Sequence, residues 1–148
     1  MRKAARVVLI KDDRLLVMHR NKFGTEFYTL PGGGIEPGET GEQAAVREIY
    51  EETMITFNHP RLVMIEDAGT MYGQQFIYLG EYISGEPAIQ PGSEEDLINR
   101  LGKNIHTPMW LPMAILPSVE FVSLQLKNHI LHFSEYGWPE DPITFSTR

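Results

Sequence analysis

The chain alternates between short apolar runs and polar breaks marked by glycine or proline. Residues 4–10 and 15–20 are apolar stretches around a polar 11–14, which predicts two strands joined by a turn. Residues 21–26 predict a polar loop, and 27–30 a short strand that stops at Pro31. After a glycine turn the period changes. Ala44, Glu48, Glu51, Glu52 and Ile55 fall on one helical stripe, and Ala45 and Ile49 form an adjacent apolar one that can pack on a sheet. Thr40, with Gln43 three residues on, predicts a capping box, so this helix starts at Gly41 and runs to Glu52 or Thr53. His59-Pro60 is expected to break the chain. Residues 61–66 and 75–83 predict a hairpin with a long tip over 67–74. A Gly/Pro loop (84–93), a short helix (94–101) and a strand (105–111) follow, Pro108 marking the last as an edge or a bend. Ser118 is the predicted cap of a second long helix reaching about Phe133, with Val119, Val122, Leu126, Ile130 and Phe133 on one face. Residues 134–148 form a tail with two prolines.

This order predicts an α/β architecture, a mixed sheet with helices on both faces. With 148 residues, 42% of them hydrophobic, the chain has enough length for a real core. We find no repeat, low-complexity segment or long linker, so residues 1–148 are expected to be one domain. No apolar run reaches 18 residues, so no membrane span is expected. The N-terminal apolar stretch is broken by Lys11, Asp12 and Asp13 and reads as a strand rather than a leader, which makes cytoplasm the default location. Zero cysteines exclude disulfides, thiolate metal sites and a cysteine nucleophile. A net charge of −7 argues against nucleic acid and anionic membranes as partners, because both bind through phosphate neutralisation. A small polyphosphate stays open if cations and a few local basic groups (Arg6, Arg20, Lys22, Lys103) supply positive charge.

The acidic helix is where candidate chemistry concentrates. Glu48, Glu51 and Glu52 stand at i, i+3 and i+4 and share a face beside Arg47. At about 5 Å and an effective dielectric near 20, each like-charge pair costs roughly 3 kcal/mol. A bound divalent cation reverses that sign, and Mg²⁺ favours carboxylates plus substrate phosphates over a closed protein cage. The five histidines show no zinc spacing. Tyr28, Phe27, Tyr72, Phe76, Tyr78 and Trp110 are candidates for stacking a base, although most aromatics in strands are core.

From Gly33, five residues lead to Glu39 and seven more to Arg47-Glu48, followed by Ile49, Tyr50, Glu51-Glu52, Thr53, Met54 and Ile55. This segment resembles the signature of the Nudix hydrolases at every defining position but one, Met54 standing where the family has glycine. The flanks Leu30-Pro31-Gly32-Gly33 and Trp110-Leu111-Pro112 are also similar to the family's. The resemblance implies an α/β/α sandwich that hydrolyses a diphosphate bond in a nucleoside diphosphate linked to another moiety: a nucleoside triphosphate, a nucleotide sugar or a dinucleoside polyphosphate. It implies Glu48, Glu51 and Glu52 as ligands of Mg²⁺ or Mn²⁺, with the Gly32 carbonyl as a further ligand. Arg47 would hold a neighbouring carboxylate, and Glu39 would support the loop–helix geometry. The general base is Glu51 or Glu48, with the later acids Glu94, Glu95, Asp96 and Glu120 as alternatives. Tyr72, 17 residues beyond the box, stands where the family's dinucleoside polyphosphate hydrolases often carry a tyrosine, and Arg20 is the basic candidate for substrate binding. The ADP-ribose hydrolases' downstream proline is replaced by Met71, and the coenzyme A subgroup's extra motif is absent. A non-catalytic nucleotide-binding module and a homodimeric assembly both stay open. Met54 leans towards the former, and the expected remedy is a helix that ends differently or runs on by a residue.

Overall fold

The structure is a computed structural model that describes residues 2–148. Among the described residues nine strands form two sheets. In the first, β5 (Gly32–Gly34), β1 (Lys3–Val8), β7 (Gln74–Ser84), β6 (Thr56–Asp67) and β9 (Ile143–Ser146) lie side by side in that order. It is mixed: β1 runs parallel to β7 and β6 to β9, while β5–β1 and β6–β7 are antiparallel. The second sheet is antiparallel. Its centre, β3 (Arg14–Lys22), pairs with β2 (Ile10–Lys11), β4 (Thr25–Thr29) and β8 (Asn104–Pro112). Helix α1 (Gly41–Thr53) packs Ala44, Ala45 and Ile49 against Ala5 and Val7 of β1 and the Leu9 that follows it. On the opposite face Leu126 and Ile130 of α4 (Leu124–Tyr136) meet Val8, Met64 and Ile77. The α/β reading, a mixed sheet between helices, therefore holds.

The Thr40–Gln43 capping box forms in full, with the Thr40 hydroxyl accepting from the Gln43 N–H and the Gln43 side chain accepting from the Thr40 N–H. Pro108 lies on β8, which pairs only with β3 among the described strands, so its missing N–H costs no ladder bond.

Elsewhere tertiary pairing overrides the local reading. Residues 21–26 form the end of one strand and the start of the next, because β3 is held from both sides by β4 and β8 down to Lys22. The glycine turn is a short strand. Gly32 stands opposite Arg6, and a Cβ there would lie 2.1 Å from the Ala5 carbonyl, so only glycine fits this approach. His59-Pro60 does not end the strand; β6 absorbs it as a register shift between Asn58 and Arg61, with His59 at a φ of 53°. The tip of the hairpin holds one helical turn, α2 (Gly69–Tyr72), and the short helix expected over 94–101 forms as α3 (Glu94–Arg100). The last helix starts at Leu124, capped by Ser123 rather than Ser118. Residues 119–122 are taken up by β4 instead, where Tyr28 donates its N–H to the Glu120 carbonyl and accepts from the Val122 N–H. Val119, Val122 and Glu120 are thus outside the helix. The tail returns as β9 along β6.

Candidate active site

The site is built where β5 feeds α1. Gly33 leaves the space that a Cβ would share with the Glu48 carboxylate, 2.5 Å away. That carboxylate lies against the loop backbone, and burial pushes its pKa up. Arg47 organises the ridge. Its Nε and Nη2 donate to Glu39 as a two-pronged pair at 2.7 and 2.8 Å. Its Nη1 reaches Glu48 at 2.9 Å and Glu51 at 3.1 Å, and Nη2 also donates to the Gly34 carbonyl. A planar fork serves several acceptors that a lysine ammonium cannot bridge together. Glu39 also accepts the Glu36 N–H, and its carboxyl is held down to about 2, chiefly by Arg47.

Glu52 is in a different state. It accepts the Gly32 N–H at 3.0 Å, but no cation pairs with it among the described residues, and burial pushes it up to about 7. The charge of Glu95 adds to that rise while Arg6 opposes it. Glu51 sits at the exposed end of the ridge. Among the described residues no group of three or more carboxylates or histidines is placed to hold a metal ion by itself. An open, all-oxygen set of one or two part-buried carboxylates plus a carbonyl is what a hard divalent cation takes when substrate phosphates complete its shell, so these residues fit such an ion.

Met54 departs from expectation. The helix neither runs on nor ends differently: Met54 adopts the left-handed conformation itself, with φ 63° and ψ 18°, and donates its N–H to the Tyr50 carbonyl. The cap is the one glycine would make, formed by a residue for which it costs about 1–2 kcal/mol.

Beside the ridge lies a cavity of about 500 Å³, lined among others by Arg6, Arg20, Lys22, Phe27, Tyr72 and Glu66. Arg6 is the hinge between the two regions, donating to the Gly32 carbonyl at 2.9 Å and to Gln75 at 3.0 Å. Burial lowers the pKa of Arg6 and of Arg20, and the charge of Glu52 opposes the fall in both. Arg20 donates to Asn104 and lies over the Phe27 ring, its buried Nε without a partner among the described residues. No ion pair satisfies Arg6, Arg20 or Lys22 among the described residues. Sequence spacing thus brings Glu48, Glu52, Arg47 and Gly32 together, and the fold adds Arg20 and Tyr72 next door. Lys103 is exposed and does not line the cavity. Asp96 is engaged by the Gly92 N–H and Arg100, and Glu120 is exposed on the 119–122 segment. Glu66, Gln75, Ser123 and Thr147 were not legible as site residues. The only signal was an acid at an inward position of an apolar strand.

The NUDIX domain family profile matches residues 1–121. The putative 8-oxo-dGTP diphosphatase of Bacillus subtilis (strain 168) is 30% identical over 112 residues, covering 76% of this chain and 70% of that protein. The NAD-capped RNA hydrolase NudC of Photobacterium profundum is 30% identical over 113 residues, 76% of this chain but 38% of that protein; in the Edwardsiella ictaluri counterpart the share is 33%, so the chain spans about a third of such relatives. Among solved structures, a MutT NUDIX hydrolase from Burkholderia pseudomallei superposes with a TM-score of 0.67 at 23% identity, over 86% of this chain and 95% of that one. An ADP-ribose pyrophosphatase from Streptococcus suis 89-1591 gives 0.66 at 18% over 99% and 98%, and at such identities the likeness shows the fold. With the profile spanning most of the sequence and one relative matched over most of its own length, the chain belongs to the NUDIX family of hydrolases.

Proposed function

We propose that the protein hydrolyses a diphosphate bond in a nucleoside diphosphate linked to another moiety, with Mg²⁺ or Mn²⁺ held by Glu48, Glu51, Glu52 and the Gly32 carbonyl. One observation carries this reading. A ridge of carboxylates adjoins a cavity whose Arg6, Arg20 and Lys22 lack ion pairs among the described residues, in a chain of net charge −7. Acid and base side by side, each short of a partner, suit a polyphosphate bridged by a cation. The relatives' substrates by name, 8-oxo-dGTP and NAD-capped RNA, are nucleosides attached through a diphosphate.

When bound, the ion supplies Lewis-acid polarisation of a phosphoryl oxygen and neutralises charge on the leaving group. The chain's own residues do the rest. The Gly32 carbonyl keeps a lone pair beyond the one engaged by Arg6. Arg47 acts as a positioning residue, fixing the rotamers of Glu48 and Glu51 while it is anchored on Glu39. Arg20 and Arg6 hold the phosphates, and Tyr72, at the cavity mouth, covers the nucleoside. A water oxygen attacks phosphorus, Glu48 or Glu51 takes its proton, the anhydride P–O bond breaks, and the leaving phosphate keeps the electron pair. Met54, the feature that favoured a non-catalytic binder, leaves the helix end intact.

The test is phosphate, pyrophosphate or nucleotide release from a panel of nucleoside triphosphates, nucleotide sugars, dinucleoside polyphosphates and dinucleotides with Mg²⁺ or Mn²⁺. No turnover across the panel overturns the enzyme. Turnover that persists at full rate in chelator overturns the cation.

A further inference from the structure

Glu66 is 5% exposed, yet it lines the cavity next to the ridge. Its Oε2 accepts two hydroxyls, from Ser123 at 2.8 Å and from Thr147 at 2.7 Å. Among the described residues nothing donates to Oε1, and no cation lies within ion-pair distance. Oε1 is therefore a free acceptor on the cavity wall, open to a ligand's donor. Its polar neighbours are engaged with other partners. The Gln75 carbonyl accepts from Arg6 and its amide donates to the Tyr72 carbonyl, while the Ser123 and Thr147 protons are already given to Oε2.

Position says which part of a ligand arrives here. Glu66 pairs with Gln75 across β6 and β7, and Gln75 reaches back to Arg6 on β1. Arg6 and Glu66 thus stand on strands either side of β7, roughly 10 Å apart backbone to backbone, so a ligand with its phosphate on Arg6 and Arg20 extends its other end towards Glu66. The walls around Glu66 include Ala68, Val122 and Leu126, apolar surface suited to a flat ring rather than a hydrated sugar. A carboxylate oxygen accepts and cannot donate. The imide N–H of uracil or thymine is flanked by two carbonyl oxygens that repel it, whereas an exocyclic amino group presents hydrogens freely.

We propose that Glu66, oriented by Ser123 and Thr147, reads an exocyclic amino group and makes the site selective for amino-bearing nucleobases. This rests on the nucleotide reading above and deepens it.

The test is metal-free calorimetric binding of six nucleoside monophosphates as three pairs that differ at the amino group: guanosine and inosine, adenosine and purine riboside, cytidine and uridine. In the pair bound most tightly, the amino-bearing member should bind about tenfold or more tightly, the scale of a hydrogen bond to a charged acceptor. Glu66→Gln should bring that ratio to within about twofold, because the hydroxyls keep the amide oxygen and turn its NH₂ to the ligand. A wild-type ratio near one overturns the proposal, and this arm needs no variant to fold. A ratio unchanged by Glu66→Gln overturns it too. So does a Glu66→Gln effect confined to ribose against 2′-deoxyribose, which assigns the oxygen to a sugar hydroxyl. Binding of none of the six overturns the nucleotide reading itself, whereas binding without preference overturns only the role of Glu66.

Discussion

The ridge of α1 and the cavity beside it handle charge in opposite ways. On the ridge, Arg47 gathers Glu39, Glu48 and Glu51 into one network, so each of these carboxylates shares a cation close to it in sequence. In the cavity Arg6 and Arg20 meet neutral acceptors such as Gln75, Asn104 and a carbonyl, and no carboxylate among the described residues forms an ion pair with them or with Lys22. Glu52 belongs to neither arrangement. It faces the junction, short of a cation, while the cavity's arginines are short of an anion. Matched charge makes a rigid scaffold, and unmatched charge makes a place for something to bind. On the function proposed above, the substrate's phosphates and its cation would complete the electrostatics of the junction rather than of the helix.

Glu52→Gln is the sharpest way to break this contrast, and it has the largest expected effect. With Mg²⁺ present, kcat should fall by about a thousandfold, roughly 4 kcal/mol of barrier. Stability should move the other way. The Glu52 carboxyl holds its proton up to about 7 in the fold against 4.5 unfolded, so its contribution is fully present below pH 4.5 and is lost as pH rises through 7. In chelator, the wild type should therefore lose about 3 kcal/mol between pH 4.5 and pH 8, measured by urea denaturation, and Glu52→Gln should flatten that slope. Glu39 runs in the opposite direction. Held down to about 2, it stabilises above pH 4.5 and that contribution fades as pH falls towards 2. Full turnover in Glu52→Gln would remove this residue from the chemistry.

Arg47→Lys tests the scaffold. A point charge cannot hold Glu39 through two bonds and still reach Glu48, Glu51 and the Gly34 carbonyl. We expect kcat to fall about a hundredfold and stability by about 2 kcal/mol, with KM little changed. A rise in KM alone would mean that Arg47 binds substrate. Arg20→Ala tests the cavity and should show the reverse pattern, a KM about tenfold higher with kcat nearly kept, since it removes a phosphate contact of about 1.4 kcal/mol and leaves the ridge intact.

The two regions also differ in how far they could be read beforehand. The ridge is local. A capping box, a helical period and one arginine fix which side chains share a face, and all lie between Thr40 and Glu52. The cavity is assembled from β1, β3, β4, β6, β7, the start of α4 and Thr147, so its members are up to 141 positions apart (Arg6 to Thr147). No local periodicity marks Glu66 and Thr147 as partners. The misplaced start of α4 has the same origin, because pairing of Tyr28 with residues 120 and 122 outweighs the capping chemistry of Ser118. Strand pairing between distant segments decided each of these points, and it leaves no trace in the spacing of neighbours.

Met54→Gly has the smallest expected effect and asks whether the ridge is tuned by the backbone at its far end. Methionine at φ 63° carries about 1–2 kcal/mol of strain, and glycine would remove it. Glycine also gains freedom in the unfolded chain, which offsets about 0.5–1 kcal/mol of that. The balance is a gain of about 0.5–1 kcal/mol, or a melting temperature higher by about 2 °C for a chain of this size. Because the helix end and the Tyr50 cap already take glycine's geometry, Glu51 and Glu52 should not move, and kcat and KM should stay within about twofold of wild type. A variant that melts lower would show that packing of the Met54 side chain outweighs its backbone strain. A variant that turns over tenfold faster would show that the left-handed methionine displaces Glu52, and that the ridge is less independent of its terminus than its arginine network suggests.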